Sequence, residues 1–329
     1  VQPPRKLNSL MLDWPTDWTA LFGQGRPLIV EIGFGNADYL FALAKANANC
    51  NIIGCEISGH SMDKAEKKIM RNQLQHVRAV HSRGETALHH LFRPQSIREV
   101  HINYPDPWFK SRHAGRRIMQ RDTLDAIVNR LEPGGLFYLA TDIVEYAEMS
   151  HELLQNTPGM DNLLEAVWVN HLPERPMITK YEAKGMQEGR VGNYFKYMRN
   201  CHPAPDVPVK EEWPVPHVVL QTPLAPQAIA ANVHREAFHR GDIHVALFNA
   251  FWNPNYNSVL FEIHIDEPTI EQHMALLLRP REETKDYTLK YATFGMPRPT
   301  EGVHFATSVI ADWIVQLHPQ AEIISKRVR

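Results

Sequence analysis

Cysteine is scarce in this chain. Three residues in 329 cannot build a disulfide framework, and with Cys50 and Cys55 five apart and Cys201 remote they match no zinc-ligand spacing. They are expected as small buried side chains, and no metal is assigned. The 18 histidines contain no H-E-x-x-H or comparable ligand pattern. No uninterrupted apolar run approaches the roughly 18 to 20 residues that a membrane span requires. The opening Val1-Gln2-Pro3-Pro4-Arg5-Lys6 also lacks the apolar core of a secretory signal. A soluble protein in a reducing, cytoplasmic setting, away from membranes, is expected. A basic excess is missing too: the formal net charge is −2, so any contact with nucleic acid must rest on a local patch. Internal repeats and low-complexity tracts are also wanting.

What the chain does have is length and alternation. At 329 residues it exceeds the usual single domain, so two are expected. From Pro27 to Arg199, short β-rich apolar runs alternate with amphipathic stretches, the pattern of a doubly wound parallel sheet. Strands are expected over 27–33, 51–57, 76–82, 97–104 and 136–141, with helices over 37–46, 62–74, 85–91 and 118–131. Pro133-Gly134-Gly135 should stop the last helix. The segments 162–171 and 191–198 would add an antiparallel edge. Pro203, Pro205, Pro208, Pro214 and Pro216 mark a stiff linker over 201–216, between a catalytic domain (1–200) and an accessory domain (217–329). The accessory domain should be small and α+β, with strands over 218–221, 243–252, 258–266 and 287–294 and helices over 227–239, 269–278 and 302–317. Its Phe248, Phe251, Trp252 and Phe261 are expected in the core.

The first expected strand runs into Glu31-Ile32-Gly33-Phe34-Gly35-Asn36, where Gly33 and Gly35 would let backbone approach a ligand closely. Glu56 closes the second strand, where an acid in this fold accepts ribose hydroxyls. A nicotinamide dinucleotide would use the same acid. However, the third, phosphate-binding glycine is missing, and Glu31 adds an acid suited to a cationic ligand. S-adenosylmethionine, a sulfonium without phosphate, fits this set better.

After the fourth expected strand comes Asn103-Tyr104-Pro105-Asp106-Pro107-Trp108, which holds an acid and an aromatic ring on a stiff loop at the carboxyl end of the sheet. An acid that hydrogen-bonds the edge of a heterocycle, beside a ring that offers a face, suits a base. Lys110, Arg112, Arg116 and Arg117 follow, and arginine forks match phosphate oxygens. The alternative is a rigid turn followed by a solvated charge run.

Asp106-Pro107-Trp108, Lys110, Arg112-His113 and Arg116-Arg117, together with Thr179-Lys180-Tyr181-Glu182, resemble the bacterial tRNA guanine-N7 methyltransferases over 28–199. The resemblance implies a Rossmann-like class I methyltransferase sheet, S-adenosylmethionine as cofactor and tRNA as partner. The methyl acceptor would be N7 of the variable-loop guanosine 46. It implies that Asp106 is catalytic and that Asp106 binds the cofactor together with Glu31, Gly33, Gly35 and Glu56. Lys110, Arg112, Arg116, Arg117, Asp142, Thr179 and Glu182 would bind substrate, although Asp142 has a competing role in capping the next helix. One departure stands at His81-Ser82-Arg83-Gly84-Glu85, where Arg83 occupies the place of a cofactor-binding aspartate, leaving Ser82 or Glu85 to contact the adenine. Two rivals remain from the residues alone: a nicotinamide-dependent oxidoreductase and a non-enzymatic RNA-binding module.

Overall fold

A computed structural model describes residues 4–110, 115–281 and 286–329, so Arg112 and His113 of the basic segment lie outside the described residues. The chain divides into two compact units, Val1–Lys210 and Glu211–Arg329.

The strands of the first unit are β1 (Lys6–Asn8), β2 (Leu28–Ile32), β3 (Asn51–Glu56), β4 (Val77–His81), β5 (Ile97–Asn103), β6 (Leu131–Thr141), β7 (Met160–Asn162) and β8 (Asn193–Arg199). They form one mixed sheet in the order β1-β4-β3-β2-β5-β6-β8-β7, parallel through β6 and antiparallel at β8 and β7. Burial on both faces explains the uninterrupted apolar runs; every residue of β2 is buried. The helices are α1 (Trp18–Phe22), α2 (Asp38–Ala46), α3 (Gly59–Arg71), α4 (Gly84–Thr86, continuing as a π-helical turn over Ala87–Leu91), α5 (Arg121–Arg130), α6 (Val144–Gln155) and α7 (Lys180–Gln187). β3 flanks β2 on one side and β5 on the other. The chain reverses its course between them, and in such a sheet the crevice at the carboxyl ends of the strands takes ligands.

Some expected elements shift. The helix expected over 118–131 spans Arg121–Arg130, and Pro133-Gly134-Gly135 lies inside β6, in an irregularity opposite Ile97–Glu99. Gly135 is required there, because a Cβ would lie 2.8 Å from the carbonyl of Glu132. Of 162–171, only Asn162 is in a strand, and Val169 makes an isolated bridge to Tyr194. Residues of the proline-rich segment lie against the first unit: Asn129 and Arg130 donate to the carbonyls of Pro205 and Val207, both at 2.8 Å. Cys50 and Cys55 are buried, but Cys201 is exposed.

The second unit is mostly β rather than α+β. Strands β9 (His217–Gln221), β10 (Glu236–Arg240), β11 (Ile243–Asn253), β12 (Ser258–Glu267), β13 (Ile270–Pro280), β14 (Tyr287–Tyr291) and β15 (Glu322–Arg327) form an antiparallel sheet in the order β10-β11-β12-β13-β14-β9-β15. Two helices, α8 (Pro226–Ala231) and α9 (Glu301–Gln316), share its core with Phe261, Ile263, Leu276 and Leu278. Two expected helices are corrected. Of residues 269–278, all but Thr269 lie in β13 and pair with β12. Residues 227–239 hold only the short α8 before β10 begins. Phe261 is fully buried, whereas Phe251 and Trp252 are exposed instead of core. Among the described residues, no helix is long and apolar enough to cross a membrane.

Candidate active site

Gly33 and Gly35, just past β2, have φ of 76° and 53°, left-handed values that side chains resist. A Cβ at Gly33 would meet nothing within 4 Å, so the loop offers bare backbone to open space. Glu56, at the end of β3, accepts the N–H of Gly35 (2.9 Å) on Oε2 and those of Ile57 (2.8 Å) and Ser58 (2.9 Å) on Oε1. Its carboxylate is thereby fixed beside the loop, and Oε2 keeps a lone pair for a hydroxyl.

Glu31, on β2, is only 1% exposed. Oε1 accepts from Asn103 Nδ2 (3.3 Å), while Oε2 is buried without a partner. Burial pushes its pKa up to about 8; the Asn103 hydrogen bond and the Arg175 charge lower it, and Glu56 raises it further. A buried carboxylate oxygen without a donor is costly until something polar or cationic meets it. The sulfonium and ammonium of S-adenosylmethionine meet that need, so these residues fit the group. A pyrophosphate suits the loop less, because Asp38 in the first turn of α2 brings an acid, paired with Lys68, to the helix end where phosphate would sit.

Asn103 also accepts from Arg175 Nη1 (3.0 Å) on Oδ1. The Arg175 guanidinium is buried between the rings of Tyr39 (5.0 Å) and Tyr194 (4.8 Å), and its Nη2 donates to Glu182 Oε2 (3.1 Å). Glu182 also accepts the N–H of Thr179 (3.1 Å) and the hydroxyl of Tyr194, while Thr179 Oγ1 accepts the N–H of Glu182 (3.1 Å). This is a capping box that starts α7. Thr179 and Glu182 are both buried. Their side-chain oxygens are taken up by each other's backbone, by Arg175 and by Tyr194. A single chain of contacts thus joins the cofactor acid to α7: Glu31, Asn103, Arg175, Glu182. Asn103, Arg175 and Tyr194 were not singled out from the sequence, and only Asn103 lay in a motif that drew notice.

The Pro-Asp-Pro-Trp loop leaves β5 through two left-handed residues, Tyr104 (φ 50°) and Trp108 (φ 41°). Strain of this kind costs about 1–3 kcal/mol per residue and persists only where the surroundings enforce it. Arg117 supplies that enforcement: Nε donates to the carbonyl of Pro107 (3.0 Å), Nη2 to that of Trp108 (3.1 Å), and Nη1 to Met149 Sδ (3.3 Å). Its fork is spent on the loop. Arg116 is exposed, its guanidinium 5.2 Å from the Trp108 ring, and Lys110 is exposed as well. Asp106 sits exposed at the bend. Between the loop and α6 lies a cleft of about 150 Å³, bounded by Phe109, Ile143, Glu145 and Tyr146 among others.

Asp142, directly after β6, pairs with Arg190 and faces Gly185 of α7, where a Cβ would lie 3.1 Å from its Oδ2. It does not cap α6, whose first residues are steadied instead by Thr141 Oγ1 accepting the N–H of Ile143 (3.2 Å). In the departing segment, Ser82 Oγ donates to the carbonyl of Arg83 (2.9 Å), and Arg83 Nε lies 3.7 Å from Glu85 Oε2. The crevice therefore brings together Glu31, Gly33, Gly35 and Glu56. Arg175 ties this group to Thr179 and Glu182, and Gly185 carries α7 onto Asp142.

A family model described as "Putative methyltransferase" matches residues 25–193. The tRNA (guanine-N(7)-)-methyltransferase of Thermus thermophilus is 30% identical over 300 residues, covering 91% of this chain and 92% of its own. That of Geobacter metallireducens is 33% identical over 204 residues, covering 62% of this chain and 97% of its own. The crystal structure of the 16S rRNA methyltransferase KamB superposes on 60% of this chain and 99% of its own at 14% identity and a TM-score of 0.44, a likeness too distant to carry inference. With its sheet, its glycine loop and its Pro-Asp-Pro-Trp turn in place, this chain belongs to the tRNA (guanine-N7)-methyltransferase family.

Proposed function

We propose that the chain transfers a methyl group from S-adenosylmethionine to N7 of guanine in tRNA, with variable-loop guanosine 46 as the target. The observation that carries this most is the unclaimed, buried Glu31 oxygen in the same crevice as the Asp106 loop, in a chain of this family. Residues 1–200 form the methyltransferase domain, 201–216 the linker and 217–329 the accessory domain.

Bound S-adenosylmethionine supplies an electrophilic methyl group on its sulfonium. Gly33 and Gly35 would let the backbone approach it, Glu56 would take its ribose hydroxyls, and Glu31 would meet its positive charge. Guanine N7 has an exposed lone pair and no proton, so no general base is needed. The protein's task is positioning, and a near-attack arrangement is worth roughly 7–11 kcal/mol. Methylation leaves the purine cationic. Asp106 and Asp142 stabilise that charge, and a carboxylate is also the acceptor that guanine N1–H and its amino group require. The cleft that the loop borders at Pro107 and Phe109 supports this reading with apolar side chains and a further carboxylate, Glu145. Glu182 and Thr179 serve substrate binding by holding α7 against Asp142. Lys110, Arg112 and Arg116 hold phosphate, while Arg117 holds the loop itself.

The test has two steps. S-adenosylmethionine, and not NAD, should raise the melting temperature, and tRNA incubated with protein and cofactor should contain 7-methylguanosine by mass spectrometry. Stabilisation by NAD, or the absence of 7-methylguanosine, would refute the proposal.

A further inference from the structure

α8 and α9 pack on one face of the second unit's sheet. The opposite face has an unusual makeup. Strand alternation sends Val245, Leu247, Ile263, Ile265, Met274 and Leu276 into the core, and turns His244, Glu262, His264, Glu271 and His273 outward. By the same alternation Phe248, next after the inward Leu247, turns outward as well. Its ring lies 6.0 Å from that of His273 and 6.4 Å from that of His264, and the Arg235 guanidinium lies 5.1 Å from its centre. Farther along the same hairpin, Phe251, paired with the outward Leu260, is 56% exposed, and Tyr256, in the turn, is 70% exposed. Phe251 and Tyr256 serve no core.

We propose that this face is a stacking platform for unpaired bases of the tRNA substrate; the proposal rests on the functional reading above. Outward aromatic rings beside arginine and lysine side chains match a polyanion carrying planar bases. Glu262 and Glu271 already have imidazole partners on the face, His273 at 3.0 Å and His264 at 2.8 Å. Arg235, Arg279 and Lys290 add positive charge against Asp266. A second copy of the chain would call for a broad apolar surface. Here the outward apolar row across β11, β12 and β13 is only Phe251, Leu260 and Leu277 before it reaches Lys290. The Geobacter relative is matched over 97% of its length by 62% of this chain. A protein of that name thus does without most of what this chain adds, and the platform should act on tRNA binding rather than on the chemical step.

The test uses the full-length protein with Phe248→Leu, which keeps apolar bulk but removes the ring, and Phe251→Ser, at an exposed position. Each should raise KM for tRNA about tenfold, with kcat and S-adenosylmethionine affinity unchanged. Oligouridylate should be retained by the wild-type protein in filter binding, and Phe251→Ser should weaken that retention about tenfold. An unchanged KM in folded variants, or a loss that tracks dissociation of a dimer in sedimentation, would overturn the platform. Failure of the wild-type protein to form 7-methylguanosine would instead overturn the functional reading, and oligouridylate binding would still judge the platform.

Discussion

Glu31 makes cofactor binding a proton-linked event. Without ligand, the carboxyl titrates at about 8 because burial disfavours its charge, against 4.5 for an ordinary glutamate. At pH 7 it is therefore mostly protonated, and a cation placed beside Oε2 must expel that proton. Affinity for S-adenosylmethionine should rise with pH, approaching tenfold per unit below about 8 and flattening above it, or roughly fiftyfold between pH 6 and 8. Isothermal titration calorimetry at pH 7, repeated in buffers of different ionisation enthalpy, should show about one proton released per ligand bound. In Glu31→Gln the release should vanish and the affinity should fall. The ligand's own titration is common to both proteins and cancels in the comparison. The sign for folding is opposite. The unfolded chain ionises this group near 4.5 and the folded chain only near 8, so its contribution to ligand-free stability is best below 4.5 and declines as pH rises to about 8. Equal proton release by wild type and Glu31→Gln would refute the link between that carboxyl and the cofactor's charge.

Arg175→Leu strands the buried Glu182 carboxylate, and urea unfolding should show a loss of about 3–5 kcal/mol; a loss below about 1 kcal/mol would mean that the pair is not structural. Arg117→Ala should release the strained loop and lower kcat, whereas Arg116→Ala and Lys110→Ala should mainly raise KM for tRNA and flatten its salt dependence. Filter binding across a salt series, alongside turnover, separates the two groups. Asp106→Ala should abolish most methyl transfer while leaving calorimetric S-adenosylmethionine affinity within about threefold, and near-normal turnover would remove Asp106 from the chemistry.

The parallel half of the fold was legible because strands buried on both faces must be apolar throughout, and helices between them must be amphipathic. The glycine loop and the Asp106 turn announced themselves through residues with few other uses. β13 did not. Its Met274-Ala275-Leu276-Leu277-Leu278 run favours a helix locally, and cross-strand pairing with β12 overrides that preference. β10 was hidden although Gly241, with φ 56°, stands at the head of a two-residue turn, a readable hairpin signal. Thr179-Lys180-Tyr181-Glu182 likewise carries the capping-box spacing in plain view. Arg175 had no such signal. Its importance arises only when β5, α7 and β8 converge on one guanidinium. Phe251 and Trp252 were expected inside because strand aromatics usually are, but their hairpin runs beyond the core.

The central claim is that the methyl group goes to N7 of guanine in tRNA. The most direct measurement supplies the protein and labelled S-adenosylmethionine with two transcripts, one ordinary and one made throughout with 7-deazaguanosine, which has carbon in place of N7. The ordinary transcript should take up label as 7-methylguanosine and the deaza transcript none. Equal labelling of both would place the chemistry at another atom and contradict the account.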